Sequence, residues 1–415
     1  MNQVTVKTIE DASKVLEGVV RKTPLQFNKR LSEQFKCNVY LKREDLQDVR
    51  SYKIRGAYNL MSSLSAAEKE KGVVCASAGN HAQGVAMSAS LLKIKATIFM
   101  PIITPLQKID KVKHFGKDWV TIKLVGQVYD EAGAAAHKYC DENSQTFVHP
   151  FNDPRTISGQ GTVGKEILEQ LEVDPDFVVC PIGGGGLISG VGTYLKSKIP
   201  LVKIIGVEPK GAPAMHQAFK EKKVITLEEI DTFVDGAAVT TVGELSYEIA
   251  SSVTEKILLS EEGKICASMV DLYQNEGIIA EPAGALSISA LNELAQEIKG
   301  KTVVCVLSGG NNDILRYPEI MEKSLVYRGL KHYFLIEFAQ KPGQLKDFLN
   351  HALSPRDDIV LFEYVKRNSR EKGPALIGVE LTQKTDLPML LDRMDKLQLR
   401  YTKITSGDPL YGFIL

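Results

Sequence analysis

Six short runs rich in β-branched and other apolar residues recur before residue 311: GVVCAS (72–77), KATIFMP (95–101), WVTIKLV (119–125), FVVCPI (177–182), KIIGVEP (203–209) and KTVVCVLSGG (301–310). Between them lie stretches with helical spacing, among them HAQGVAMSASLLK (81–93) and PLQKIDKVKHFG (105–116). A strand that reads as a near-continuous apolar run is one buried on both faces. Strand-helix alternation of this kind predicts an α/β fold, with parallel sheet covered by helices on both sides. The pattern changes near Tyr327. Beyond it the sequence predicts a strand (332–338), a helix (342–353), strands at 358–368 and 374–381, a helix (387–399) and a last strand, a β-α-β-β-α-β unit of ferredoxin-like type. A chain of 415 residues has room for this unit beside a substantial core.

Charge and composition exclude several kinds of partner. Lys+Arg and Asp+Glu both number 51, so there is no basic footprint for nucleic acid or an anionic membrane. MNQVTVKTIEDASKVL lacks a basic-then-apolar leader, and no apolar run is long enough to span a bilayer. Cys37, Cys75, Cys140, Cys180, Cys266 and Cys305 never form C-x-x-C, and three of them lie inside the apolar runs, where reduced, buried thiols are expected. These features predict a cytoplasmic protein.

Three clusters carry chemistry. In PIGGGGLISG, Gly183, Gly184, Gly185 and Gly186 follow a strand and precede a helix, so backbone N–H groups can converge on a phosphate at a helix start. A dinucleotide is the rival owner of that phosphate, because Glu208 lies where a ribose-binding acid would follow. The strict G-x-G-x-x-G spacing occurs instead at Gly159, Gly161 and Gly164, in a stretch that also nearly spells a Walker A loop; both matches read as coincidence at a glycine-rich helix start. In CASAGNHAQGVA, Ser77, Asn80 and the free amides of a helix start form a cup for a small carboxylate or phenolate, although a capped strand-to-helix turn would look the same. His81 could act as a base or simply be a structural histidine. In CVLSGGNND, Ser308 ends an apolar strand. Ligands gather at the carboxyl ends of parallel strands, and Ser77, Gly183 and Ser308 all fall there. The remaining histidines show no ligand spacing, so no transition-metal site is expected.

Taken together and in order, SYKIRGAY (51–58), SAGNHAQG (77–84), GGGGLISG (183–190), EPAGA (281–285) and LSGGNND (307–313) resemble the pyridoxal-phosphate-dependent threonine dehydratases (threonine ammonia-lyases) of the β-family. The resemblance implies a fold type II catalytic domain at 1–322, two open twisted α/β subdomains with the cofactor between them, the smaller at roughly 50–150. It implies that Lys53 carries pyridoxal 5'-phosphate as an internal aldimine. Gly183, Gly184, Gly185, Gly186 and Leu187 would cradle the phosphate, Asn80 would meet the phenolic oxygen and Ser308 the pyridine nitrogen. Ser77, Ala78, Gly79, Asn80 and His81 would hold the substrate, with Asn152 and Glu281 near the cofactor. A turn or helix-capping role competes for Asn152 and Glu281.

Three departures narrow the branch. Serine racemases resemble this chain but have a serine, the opposite-face acid, where Ala78 stands, so elimination should dominate. Their divalent-metal site uses an acid after a glutamate, whereas apolar residues follow Glu208 here, and no such site is expected. Cysteine synthases usually have a threonine in place of His81. The last unit, 327–415, resembles the ACT-like regulatory domain of the biosynthetic enzymes. That likeness implies isoleucine feedback inhibition, valine as a second effector, and a homo-oligomer of the tetrameric kind. A nicotinamide-dependent oxidoreductase using the glycine turn is the alternative of another class.

Overall fold

The computed structural model describes residues 3–364, 372–405 and 408–414. They form two compact units, Met1–Asn312 and Asp313–Leu415. The first unit holds two sheets. The larger runs β1 (Leu25–Phe27), β2 (Asn38–Arg43), β10 (Thr302–Leu307), β7 (Phe177–Pro181), β8 (Lys203–Pro209) and β9 (Lys256–Ser260), parallel except for β1. The smaller is parallel throughout, in the order β5 (Val120–Leu124), β4 (Ala96–Met100), β3 (Val73–Ala76) and β6 (Thr146–Phe147).

β3, β4, β7 and β10 are buried along their whole length, as continuous apolar runs require when helices cover both faces. WVTIKLV departs from that expectation. β5 is the edge of its sheet and every residue in it is at least part-exposed, because no strand lies beyond it. The apolar runs also fail to announce β2, which seats Lys42 and Arg43 in buried positions. Six buried cysteines are free thiols, three of them in β3, β7 and β10.

The G-x-G-x-x-G at 159–164 is neither a loop nor a helix start. It lies in the middle of the helix Pro154–Gln170. There the missing side chains let helices cross backbone to backbone. A Cβ on Gly190 of the helix Gly186–Lys198 would sit 2.6 Å from the Gly161 nitrogen, and one on Gly159 2.5 Å from the Arg55 carbonyl oxygen. The glycines are packing devices that hold three helices together.

The second unit contains β11 (Lys331–Ala339), β12 (Asp358–Tyr364), β13 (Lys372–Glu380) and β14 (Arg400–Ile404) in one antiparallel sheet, order β12-β13-β11-β14. Helices Gln344–His351 and Leu387–Lys396 complete the β-α-β-β-α-β order. Phe334, Ile336 and Phe338 of β11 alternate inward onto Phe348, Leu390 and Met394. The strand expected at 358–368 runs from Asp358 to Tyr364, and its last four positions lie outside the described residues.

Candidate active site

Lys53 opens the helix Lys53–Ser62. The stretch before it is clipped to the end of β10, since Ser51 bridges Gly309 and the Tyr52 amide donates to the Ser308 carbonyl at 3.2 Å. The helix Asn80–Leu92 presses on its other side; a Cβ on Gly84 would lie 3.1 Å from the Lys53 carbonyl carbon. The Lys53 amine donates to the Pro150 carbonyl at 3.1 Å and lies 5.4 Å from the Tyr52 ring centre. Among the described residues no carboxylate lies within ion-pair range of it. Desolvation, opposed by the more distant Glu281 carboxylate, lowers its pKa to about 8.

The tetraglycine joins β7 to the helix Gly186–Lys198. Gly185 has φ +94°, a left-handed value that a side chain would strain. A Cβ on Gly184 would collide with the Phe151 ring, and one on Gly186 would lie 3.0 Å from the Phe151 Cα. Among the described residues, the amides of 183–187 have no backbone or side-chain acceptor. They form a cluster of free donors at the positive end of a thirteen-residue helix. The Leu187 side chain itself is in the core.

Across from it, the end of β3 leads through Ser77, Ala78 and Gly79 into the helix Asn80–Leu92. The Ser77 hydroxyl accepts the Gly79 amide at 3.2 Å, and a Cβ on Gly79 would meet nothing within 4 Å, so the cup is open there. The Asn80 amide nitrogen donates to Glu281 Oε1 at 2.6 Å, while its oxygen accepts from Asn311 Nδ2 at 2.8 Å. Burial pushes the Glu281 carboxyl up to about 7. Ser308 is buried one residue past β10, its hydroxyl 3.4 Å from the Ala283 carbonyl.

Ser77 thus follows a strand of the smaller sheet, whereas Gly183 and Ser308 follow neighbouring strands of the larger one. The crevice lies between two sheets and not along one edge. His81 is 3% exposed, and its Nε2 is committed to the Val148 carbonyl at 2.7 Å. Burial, with Lys53 adding to it, lowers its pKa to about 3. The side chain is therefore a neutral tether. Asn152 Oδ1 accepts the Leu245 amide at 3.0 Å and so caps the helix Glu244–Val253. Glu208 likewise accepts the Met215 and His216 amides at 2.8 and 2.7 Å. It anchors a helix start and is not open to a ribose, which removes the dinucleotide reading's acid.

Three sets of residues have no counterpart among the sequence expectations. Pro150 meets the lysine through a carbonyl, which every residue possesses. Arg55, two positions after Lys53, is wholly buried between two carboxylates: it donates to both Glu44 oxygens at 2.8 Å and to Glu166 at 2.7 and 2.9 Å. Lys42 joins them, 2.5 Å from Glu166. Asn311 carried a usable signal, an asparagine directly after paired glycines.

Residues 16–309 match the family described as pyridoxal-phosphate dependent enzyme, and residues 322–414 match the C-terminal regulatory domain of threonine dehydratase. A protein of Halalkalibacterium halodurans named L-threonine dehydratase biosynthetic IlvA is 52% identical over 415 residues, the full length of both chains. One of the same name from Bacillus subtilis is 49% identical over 412 residues, 99% of this chain and 98% of that one. The processed form of threonine deaminase isoform 2 from Solanum lycopersicum superposes with a TM-score of 0.73 at 39% identity, covering 78% of this chain and 96% of that structure.

Proposed function

Because the chain belongs to the pyridoxal-phosphate-dependent threonine dehydratases, we propose that it converts L-threonine to 2-oxobutanoate and ammonia, with Lys53 as the cofactor's attachment and the base at Cα. The observation that carries this reading is the Lys53 amine, desolvated and bonded to a carbonyl where an ordinary buried lysine would have a carboxylate. Pyridoxal phosphate fits the residues around it: the unpaired amides of 183–187 suit the phosphate, Asn80 the phenolic oxygen and Ser308 the ring nitrogen. When bound, the cofactor supplies the electron sink that makes the Cα proton removable.

The chain's own residues do the rest. With a pKa near 8, a useful fraction of the Lys53 amine is neutral near pH 7 and can take the Cα proton. The helix-start amides of Asn80 and His81, with Ser77, Ala78 and Gly79, receive the substrate carboxylate. Ser308 offers a hydroxyl and no carboxylate, so charge is not held long and the β-hydroxyl leaves instead. Ala78 supplies no acid to the face opposite Lys53, which favours elimination over racemisation. Water is lost at Cβ and regained on hydrolysis, so the net products are the 2-oxo acid and ammonium. L-Serine, one methyl smaller, would give pyruvate by the same route.

We assign catalysis to 1–322 and sensing to 327–415, with isoleucine as inhibitor, valine as a second effector, and a cytoplasmic homotetramer as the working form. The described residues include no helix long and apolar enough to cross a membrane. Purified protein given L-threonine should release 2-oxobutanoate and ammonia in equal amounts; silence on both threonine and serine would sink the reading. Isoleucine should raise the threonine concentration needed for half-maximal rate, by the several-fold to hundred-fold that a coupling of ~1–3 kcal/mol gives. If isoleucine does not bind the intact protein, the second unit serves assembly alone.

A further inference from the structure

Three consecutive residues, Pro150 to Asn152, meet three parts of the site, and His149 precedes them. The Pro150 carbonyl accepts the Lys53 amine at 3.1 Å. Phe151 fills the space over Gly184 and Gly186, where any Cβ would strike it. Asn152 caps the helix Glu244–Val253, and Ser246 of that helix donates back to the Phe151 carbonyl at 2.8 Å. His149 touches none of these partners directly. Its Nδ1 instead accepts the Asn152 amide at 2.8 Å and the Phe151 amide at 3.3 Å, and its ring stands edge-on to Phe151 with centres 4.7 Å apart. The His149 carbonyl is held in turn by the Thr156 hydroxyl at 3.0 Å.

An imidazole that accepts two amide hydrogens at Nδ1 has to be neutral, with its own proton on Nε2. The surroundings keep it so: burial first, then His137 and Lys53, lower its pKa to about 4 against the opposing pull of Asp153. The two accepted hydrogen bonds close a side-chain-to-backbone turn of the kind that asparagine or aspartate usually makes. Were the turn to open, the lysine's carbonyl partner and the wall of the glycine loop would move together, because both are carried by the two residues between the ring and the Asn152 amide.

We propose that His149 is a positioning residue for the cofactor site: by accepting the Phe151 and Asn152 amides, its ring sets the turn that presents the Pro150 carbonyl to Lys53 and Phe151 to the glycine loop. The proposal rests on Lys53 and that loop being where pyridoxal phosphate binds. The two can fail separately. Absence of a visible absorbance band in the wild-type protein, or its persistence in Lys53→Ala, defeats the underlying assignment; an intact band with unaffected His149 variants defeats only the proposal.

The test compares His149→Phe, which keeps the ring contacts but loses the acceptor, with His149→Asn, which loses the ring but keeps an acceptor that can reach the same amides. Each protein is stripped of cofactor and titrated with pyridoxal phosphate, following the visible band, with thermal stability measured alongside. His149→Phe should bind roughly tenfold more weakly, as loss of two neutral hydrogen bonds implies, and its kcat should fall by more than its KM rises. His149→Asn should stay within about threefold of wild type, since it restores the acceptor. Equal weakening in both variants would make ring packing the cause and overturn the proposal, as would wild-type binding by His149→Phe. Should His149→Phe not fold, the other arm decides: a folded His149→Asn that binds tenfold more weakly overturns it, and one that binds normally upholds it.

Discussion

Lys53 and Arg55 stand two residues apart at the start of one helix, both cations and both taken out of water, yet their surroundings push them in opposite directions. Arg55 is enclosed by Glu44 and Glu166, each bound through two oxygens, and these carboxylates outweigh its desolvation and raise its pKa. Lys53 has a neutral carbonyl for its partner and Glu281 only at a distance, so desolvation prevails and its pKa falls to about 8. Burial thus makes an anchor where carboxylates share the site and a titratable amine where they do not. Lys42 sharpens the point. Burial lowers its pKa too, despite Glu44 and Glu166, but its amine is tied to Glu166, the Thr23 carbonyl and Gln170, with nothing left to offer a ligand.

The largest effect is expected at Lys53. Lys53→Ala removes the amine that the account treats as both attachment and base, so the bound-cofactor band should vanish. Turnover should fall by at least the ~10²–10⁴-fold that loss of a general base costs; near-wild-type ammonia release would refute the assignment. Arg55→Met should act on stability instead. It leaves Glu44 buried without its guanidinium, and breaking such a pair costs about 3–5 kcal/mol of unfolding free energy, measurable by denaturant titration. A loss below about 1 kcal/mol, typical of a surface pair, would mean that the cluster is not the anchor described. The smallest effect is expected from Glu281→Gln, which keeps an oxygen for Asn80 but removes the charge that raises the Lys53 pKa. Above pH 7 or so Glu281 is ionised, so its neutral replacement should shift the Lys53 midpoint downwards. An upward shift, or none, would show that the two groups do not sense each other.

How much of this was legible beforehand depended on what kind of group did the work. β3, β4, β7 and β10 stood out as unbroken apolar runs because both faces of each are covered. β2 did not, since Lys42 and Arg43 read as surface residues until Glu166 and Asp45 are seen beside them. The glycines at 159, 161 and 164 were rightly set aside as a phosphate motif but were placed at a helix start, whereas they lie mid-helix. Glycine serves close helix crossing as well as phosphate binding, and spacing alone does not separate the two. Within the site, Lys53, Asn80, Ser308 and residues 183–187 were visible as side chains or as an unusual absence of them. The Pro150 carbonyl and the His149 acceptor are backbone relations, which sequence records only as an ordinary turn, whereas the Asn152 cap was among the roles its sequence offered.

The central claim is that Lys53 is a desolvated amine without a carboxylate partner, and its own titration tests that most directly. Cofactor-free protein can be mixed with pyridoxal phosphate at a series of pH values between about 7 and 11, with Lys53→Ala as the control for other lysines. Because burial lowers the pKa, the neutral, reactive amine should predominate above pH 8 or so, and the rate at which the visible band grows should rise to a plateau with a midpoint of about 8. A midpoint near 10.5, the value of an ordinary lysine, would contradict the account.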